Sequence, residues 1–187
     1  MRTEINRIIA LLERARHGKC WNGDNYETIL AEIDPSKINL RINGFNNTIH
    51  QIVRHFIATD NLILQRIKRN NVKLSAEENW TKQEELLNVN WADTLELKDR
   101  TYKSLLIKIE DFDDNWLDNP PFLGFSPWYV QFHRVIEHLH YHMAQIKLIN
   151  LYQNRNDDYG GNWSHLNCCQ FYKTQPSAKN LIRFSSN

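Results

Sequence analysis

The sequence predicts an all-α protein, a bundle of four long helices in one domain. Three observations lead there. Gly and Pro are scarce, 6 and 5 among 187 residues, so little interrupts the chain. Long segments carry apolar residues at helical spacing, and no window sustains the alternation of a strand. The length suits one domain that buries a core without disulfide staples.

From about Glu4 to Arg16, the residues Ile5, Ile8, Ile9, Leu11 and Leu12 recur at helical spacing, and Gly18 ends the run. A short helical piece, Tyr26 to Ile33, is stopped by Asp34-Pro35. Asn43-Gly-Phe-Asn-Asn47 reads as a turn, rich in residues that tolerate unusual backbone angles. A second long helix starts there, capped by Asn47 or Thr48, and Thr48 with Gln51 has capping-box spacing. Ile49, Ile52, Val53, Phe56, Ile57, Ile63 and Ile67 form its inner stripe, up to about Arg69. A polar connection through Ser75–Asn79 leads to a third long helix, about Trp91 to Phe112, with Asn90 as cap and Asp93 in the first turn.

Pro120-Pro121 and Gly124 break the chain again. Ser126-Pro127 reads as an N-cap and first-position pair opening a fourth long helix that is expected to run to about Tyr152. Its apolar positions include Val130, Val135, Ile136, Leu139, Met143, Ile146 and Ile149. Four amphipathic stripes bury most simply against one another. Residues 1–152 thus form the helical domain, and 153–187 an irregular extension. Its aromatics Tyr159, Trp163, Phe171, Tyr172 and Phe184 are expected to drape over the bundle or over a partner subunit.

Composition excludes several functions. A formal net charge of +1 leaves no excess of Lys and Arg to neutralise phosphates, so nucleic acid is not an expected partner. No stretch approaches the roughly 20 apolar residues of a membrane span. The N-terminal apolar run is short and interrupted by charge, unlike a signal peptide, so a cytoplasmic location is expected. Cys20, Cys168 and Cys169 lack framework spacing and are expected to be free thiols, with Cys20 after Lys19 either inert or reactive.

Four of the eight histidines fall between positions 133 and 142. At about 100° per residue, His138 and His142 lie about 40° apart on one helical face beside Val135, Ile146 and Ile149. His140 falls about 160–200° from both and is expected to face outward. Such an i, i+4 pair offers two nitrogens to one metal ion. On the second long helix His55 shares the side of Ile52 and Thr59, whereas His50 lies about 140° around on the polar side. His55 is therefore the better third ligand. The alternative is that these are hydrogen-bonded core histidines; three of them would then need separate acceptors, where one divalent cation satisfies all three.

This is not the zinc-protease helix motif, because Leu139 stands where that motif carries its general-base Glu, and Glu137 points about 100° away from His138. Three histidine ligands leave a coordination position open for water or a substrate thiolate, the arrangement of catalytic zinc. Asp60, Gln145 and Tyr141 are candidates to hold the far ring nitrogens. Trp128, Tyr129 and Phe132 could line an apolar pocket or simply pack in the core. No general base stands out.

Three segments resemble the DinB-like superfamily of bacterial metal-binding four-helix proteins. Leu11-Leu-Glu-Arg-Ala-Arg-His-Gly-Lys-Cys-Trp-Asn-Gly23 is similar to the family's first-helix ending, a Gly followed by a Trp-x-Gly turn. Asn47-Thr-Ile-His-Gln-Ile-Val-Arg-His-Phe-Ile57 resembles the helix that carries the first metal histidine, at the place of His55. His138-Leu-His-Tyr-His-Met-Ala-Gln-Ile146 matches the His-x-x-Tyr-His-x-x-Gln-Ile signature at five positions and is the most specific of the three. The resemblance spans roughly residues 5 to 152. It implies His55, His138 and His142 as ligands, zinc or nickel as the ion, an up-down-down-up bundle and a homodimer. It also implies a small-molecule substrate, in either hydrolysis or transfer of a low-molecular-weight thiol such as bacillithiol or mycothiol; a non-catalytic stress-response protein that captures metal or a small molecule is the alternative. The family often has Trp-Glu where this chain has His50-Gln51, and His50 is accordingly expected on the surface first, or else at the pocket mouth.

Overall fold

A computed structural model describes residues 2–20 and 23–158. Among them are seven α-helices: α1 (Thr3–Arg16), α2 (Tyr26–Ala31), α3 (Ile49–Ile67), α4 (Ala76–Asn79), α5 (Gln83–Leu86), α6 (Trp91–Glu110) and α7 (Trp128–Asp158). No strand occurs among the described residues. Four helices are long, and the protein is all-α as the sequence predicts. The draping of the C-terminal aromatics and the state of Cys168 and Cys169 lie outside the described residues, as does the Trp21-Asn22 part of the first-helix ending.

Local signals set the helix starts. The Thr48 hydroxyl accepts from Gln51 N, and the Gln51 side chain accepts from Thr48 N, completing the capping box of α3. Asn90 caps α6 through Ala92 N. Ser75 and Glu78 form a second capping box, so the polar connection contains the one-turn helix α4. Helix α7 begins one residue later than Ser126-Pro127 implies. Pro127 O accepts the first intrahelical bond, from Gln131 N, and the amides of Trp128 and Tyr129 donate to the carbonyls of Asn119 and Leu117. Backbone from the preceding loop therefore satisfies the first turn in place of a serine cap. At its other end α7 passes Tyr152 and runs to Asp158.

The long helices touch in a ring, α1 against α6 and α7, and α3 against α6 and α7. Arg66 late in α3 bonds Gln131 early in α7, whereas His55 earlier in α3 meets His138 further along α7, so these two helices are antiparallel. Their buried stripes feed two apolar clusters. One gathers Tyr26, Ile52, Phe56, Leu139, Met143 and Ile146; the other gathers Ile5, Leu12, Leu105, Ile109, Trp128 and Phe132. Asp60 lies on α3 between the residues feeding the two. It accepts from Arg16 Nη2 at 2.7 Å, both side chains being buried, and the guanidinium lies 4.1 Å from the Tyr102 ring centroid.

One candidate orienting group drops out here, and the choice left open for the start of α7 is decided. Asp60 spends its carboxylate on Arg16 and does not reach the histidines. Trp128 and Phe132 are buried in the second cluster, Trp128 also edging a hollow of about 210 Å³ with Phe112 and Trp116, while Tyr129 is exposed. The apolar reading of α7's first turn is core packing.

Candidate metal centre

His55 projects from the middle of α3 because Ile52, Val53 and Phe56 fix that face inward. His138 and His142 project from α7 one turn apart, flanked by the buried Leu139, Met143 and Ile146. Each of the three offers a ring nitrogen, and these nitrogens all lie within 4.8 Å of one another. The three rings meet edge to face, with centroids 4.5–4.9 Å apart. His55 Nε2 and His138 Nε2 face each other at 2.7 Å.

The tautomers follow from the surroundings. His55 Nδ1–H donates to the carbonyl oxygen of Asn79 at 2.8 Å, and a carbonyl can only accept. His142 Nδ1–H donates to Gln145 Oε1 at 2.6 Å. Both rings are thereby left with an unprotonated Nε2, the form a metal ion needs. Burial, followed by the repulsion of neighbouring imidazoles, pushes His138 down to about 3. Burial is also the main cause that brings His55 to about 4 and lowers His142. These rings stay neutral at physiological pH.

A cleft of about 640 Å³ opens onto the cluster. Trp80 stacks on His55 at 4.0 Å with an interplanar angle of 11°, holding the ring from the side of the α4 connection. Tyr141 sits edge-on to His142 at 4.9 Å and is largely exposed at the rim. Of the three candidate orienting groups, Gln145 takes that place and Tyr141 does not. Asn79 and Trp80 were not legible as site residues. A backbone carbonyl has no sequence signature, and only the Ser75/Glu78 capping pair hints that a fixed turn delivers one.

The other described histidines stand apart from the cluster. His50 is fully buried rather than on the surface: its Nε2 lies 2.9 Å from Thr94 Oγ1 and its Nδ1 3.2 Å from Asn39 Oδ1, so α6 and the preceding loop cover what looked like a polar face. His140 is half-buried rather than outward, on the opposite side of α7. The Cys20 thiol is buried, 3.2 Å from the carbonyl of Arg14, and burial raises its pKa, which removes the reactive reading.

The donor set suits a divalent ion of borderline softness. It comprises three neutral imidazoles from two helices, two of them oriented by acceptors on the far nitrogen. Residues 21–146 match the family model of the DinB superfamily. No curated protein and no solved structure matches the chain.

Proposed function

This chain belongs to the DinB superfamily, and on that footing we propose that it is a metal-dependent enzyme acting on a small molecule, with His55, His138 and His142 as ligands of zinc or nickel. The observation that carries the reading is the convergence of three neutral imidazole nitrogens from α3 and α7 within 4.8 Å of one another. Three protein ligands leave a coordination position facing the cleft. When bound, a divalent ion supplies Lewis acidity there, able to lower a water's pKa to about 7 or to hold a thiolate.

The chain's own groups do the positioning. The Asn79 carbonyl and Gln145 Oε1 hold the Nδ1 protons of His55 and His142, Trp80 fixes the plane of His55, and α3, α7 and the turn at 44–47 wall the cleft. Transfer of a low-molecular-weight thiol and hydrolysis both fit an open position. The second reading is a non-catalytic metal- or small-molecule-binding protein. It is favoured by one observation: among the described residues lining the cleft, no carboxylate is available as a general base.

The test is elemental analysis of the purified protein, followed by turnover assays pairing thiols with an electrophile and water with esters. Turnover that disappears in His142→Ala supports the enzyme. Tight metal binding without turnover supports the second reading, and failure to bind zinc or nickel refutes the metal-dependent enzyme and reduces the second reading to small-molecule capture.

A further inference from the structure

The walls of the cleft carry information about what enters it. Among the described residues that line it, none bears a carboxylate, an ammonium or a guanidinium. Amide side chains (Asn46, Asn47, Gln145) alternate with aromatic and aliphatic ones (Phe45, Tyr141, Ile149). Oε1 of Gln145 is taken by His142, which leaves its NH2 as a donor to the cleft. Tyr141 is 63% exposed at the rim.

Resting on the metal reading above, we infer that the cleft selects a ligand with one anionic head for the ion and an uncharged, preferably aromatic, body for the walls. Three neutral ligands leave the charge of a divalent ion uncompensated, so the head that completes the coordination is an anion. The body then lies against groups that offer ring faces and amide dipoles and no counter-charge. A second charge on the ligand gives up hydration there without gaining an ion pair. A neutral ring gains apolar and edge contacts with Tyr141 and Phe45. The cosubstrates this favours are thiols or acids with a single ionised group, over polyanionic or zwitterionic ones.

Hydroxamates separate head from body. Zinc alone is first titrated into the full chain by calorimetry. Acetohydroxamate, benzohydroxamate and para-carboxybenzohydroxamate are then titrated into the zinc-loaded protein. Benzohydroxamate is expected to bind about tenfold more tightly than acetohydroxamate, and the added carboxylate to weaken it several-fold. Tyr141→Ala should erase most of the phenyl advantage while leaving zinc affinity unchanged. If zinc does not bind, the metal reading itself falls, and this inference with it. If zinc binds but the carboxylated probe binds as tightly as benzohydroxamate, or the phenyl ring gains nothing, the metal reading stands and only the inference is overturned.

Discussion

The contact between His142 and Gln145 gives the candidate centre a quantitative test that avoids removing a ligand. In the metal-free protein the neutral ring of His142 could carry its proton on either nitrogen. The Gln145 oxygen, 2.6 Å from Nδ1, selects the tautomer whose Nε2 is free. Gln145→Leu keeps the helix and approximate volume but removes that acceptor, so the ring must bind metal with its Nδ1–H unsatisfied or reorient towards water. Loss of such a partner costs about 10- to 100-fold in metal affinity, or roughly 1.4–2.7 kcal/mol.

The same loss must appear in stability, because an ion that binds only the folded chain stabilises it in proportion to the logarithm of its occupancy ratio. At one saturating zinc concentration the zinc-induced rise in Tm should therefore be smaller by roughly 3–10 °C, at about 2–4 °C per kcal/mol for a chain of this size. Competition with a chromogenic chelator measures the affinity, and differential scanning calorimetry with and without zinc measures the shift. Gln145→Glu restores an acceptor and should recover most of both. A Gln145→Leu protein whose zinc affinity stays within threefold of the parent's would refute the claim that this amide orients His142.

Further outcomes follow from the buried polar groups. His50 and His55, both held down to about 4 chiefly by burial, are neutral when folded but take up protons below about pH 6.5 when unfolded. The unfolded chain then binds more protons, so metal-free stability falls as pH drops from about 6.5 towards 4; at pH 5 the loss is about 2 kcal/mol for each ring, and denaturant midpoints that stay flat down to that pH would contradict it. Asp60→Ala strands the buried Arg16 guanidinium and should cost about 3–5 kcal/mol by chemical denaturation, whereas Arg16→Met with Asp60→Leu should recover most of it. Arg69, just past the end of α3, holds φ at +65°; Arg69→Gly relieves that backbone at the expense of unfolded-chain entropy and of a weak bond to Pro121 O, for a net gain of about 0.5 kcal/mol in the denaturation midpoint.

The sequence was most legible where a local signal and a long periodic stripe agreed. Thr48 with Gln51 and the isoleucines behind them located α3, and the same stripe oriented His55; the i, i+4 spacing of His138 and His142 did the same on α7. It was least legible where a second element decides a residue's surroundings. His50 is on the polar side of α3 by rotation alone, yet Thr94 of α6 and Asn39 of the preceding loop supply two partners that make its burial tolerable. Asp60 sits on the same helix as His55 and is claimed by Arg16, a residue 44 positions away. No periodicity within α3 contains either fact.

The same distinction bears on how the centre works. The two helices bring the nitrogens together, but the connection between α3 and α6 decides which nitrogen of His55 faces its neighbours. That connection supplies the Asn79 carbonyl at the end of the one-turn helix α4, and the Trp80 ring that stacks on the imidazole. A one-turn helix has little stability of its own and depends here on the Ser75/Glu78 capping box. Opening of this segment would free His55 Nδ1 and relax the tautomer without disturbing either long helix. Metal affinity should therefore track the integrity of the capping box: Ser75→Ala, about 1 kcal/mol weaker at the cap, should weaken zinc binding while leaving the global denaturation midpoint nearly unchanged. Zinc affinity that does not respond to Ser75→Ala would mean that α3 and α7 alone organise the three imidazoles.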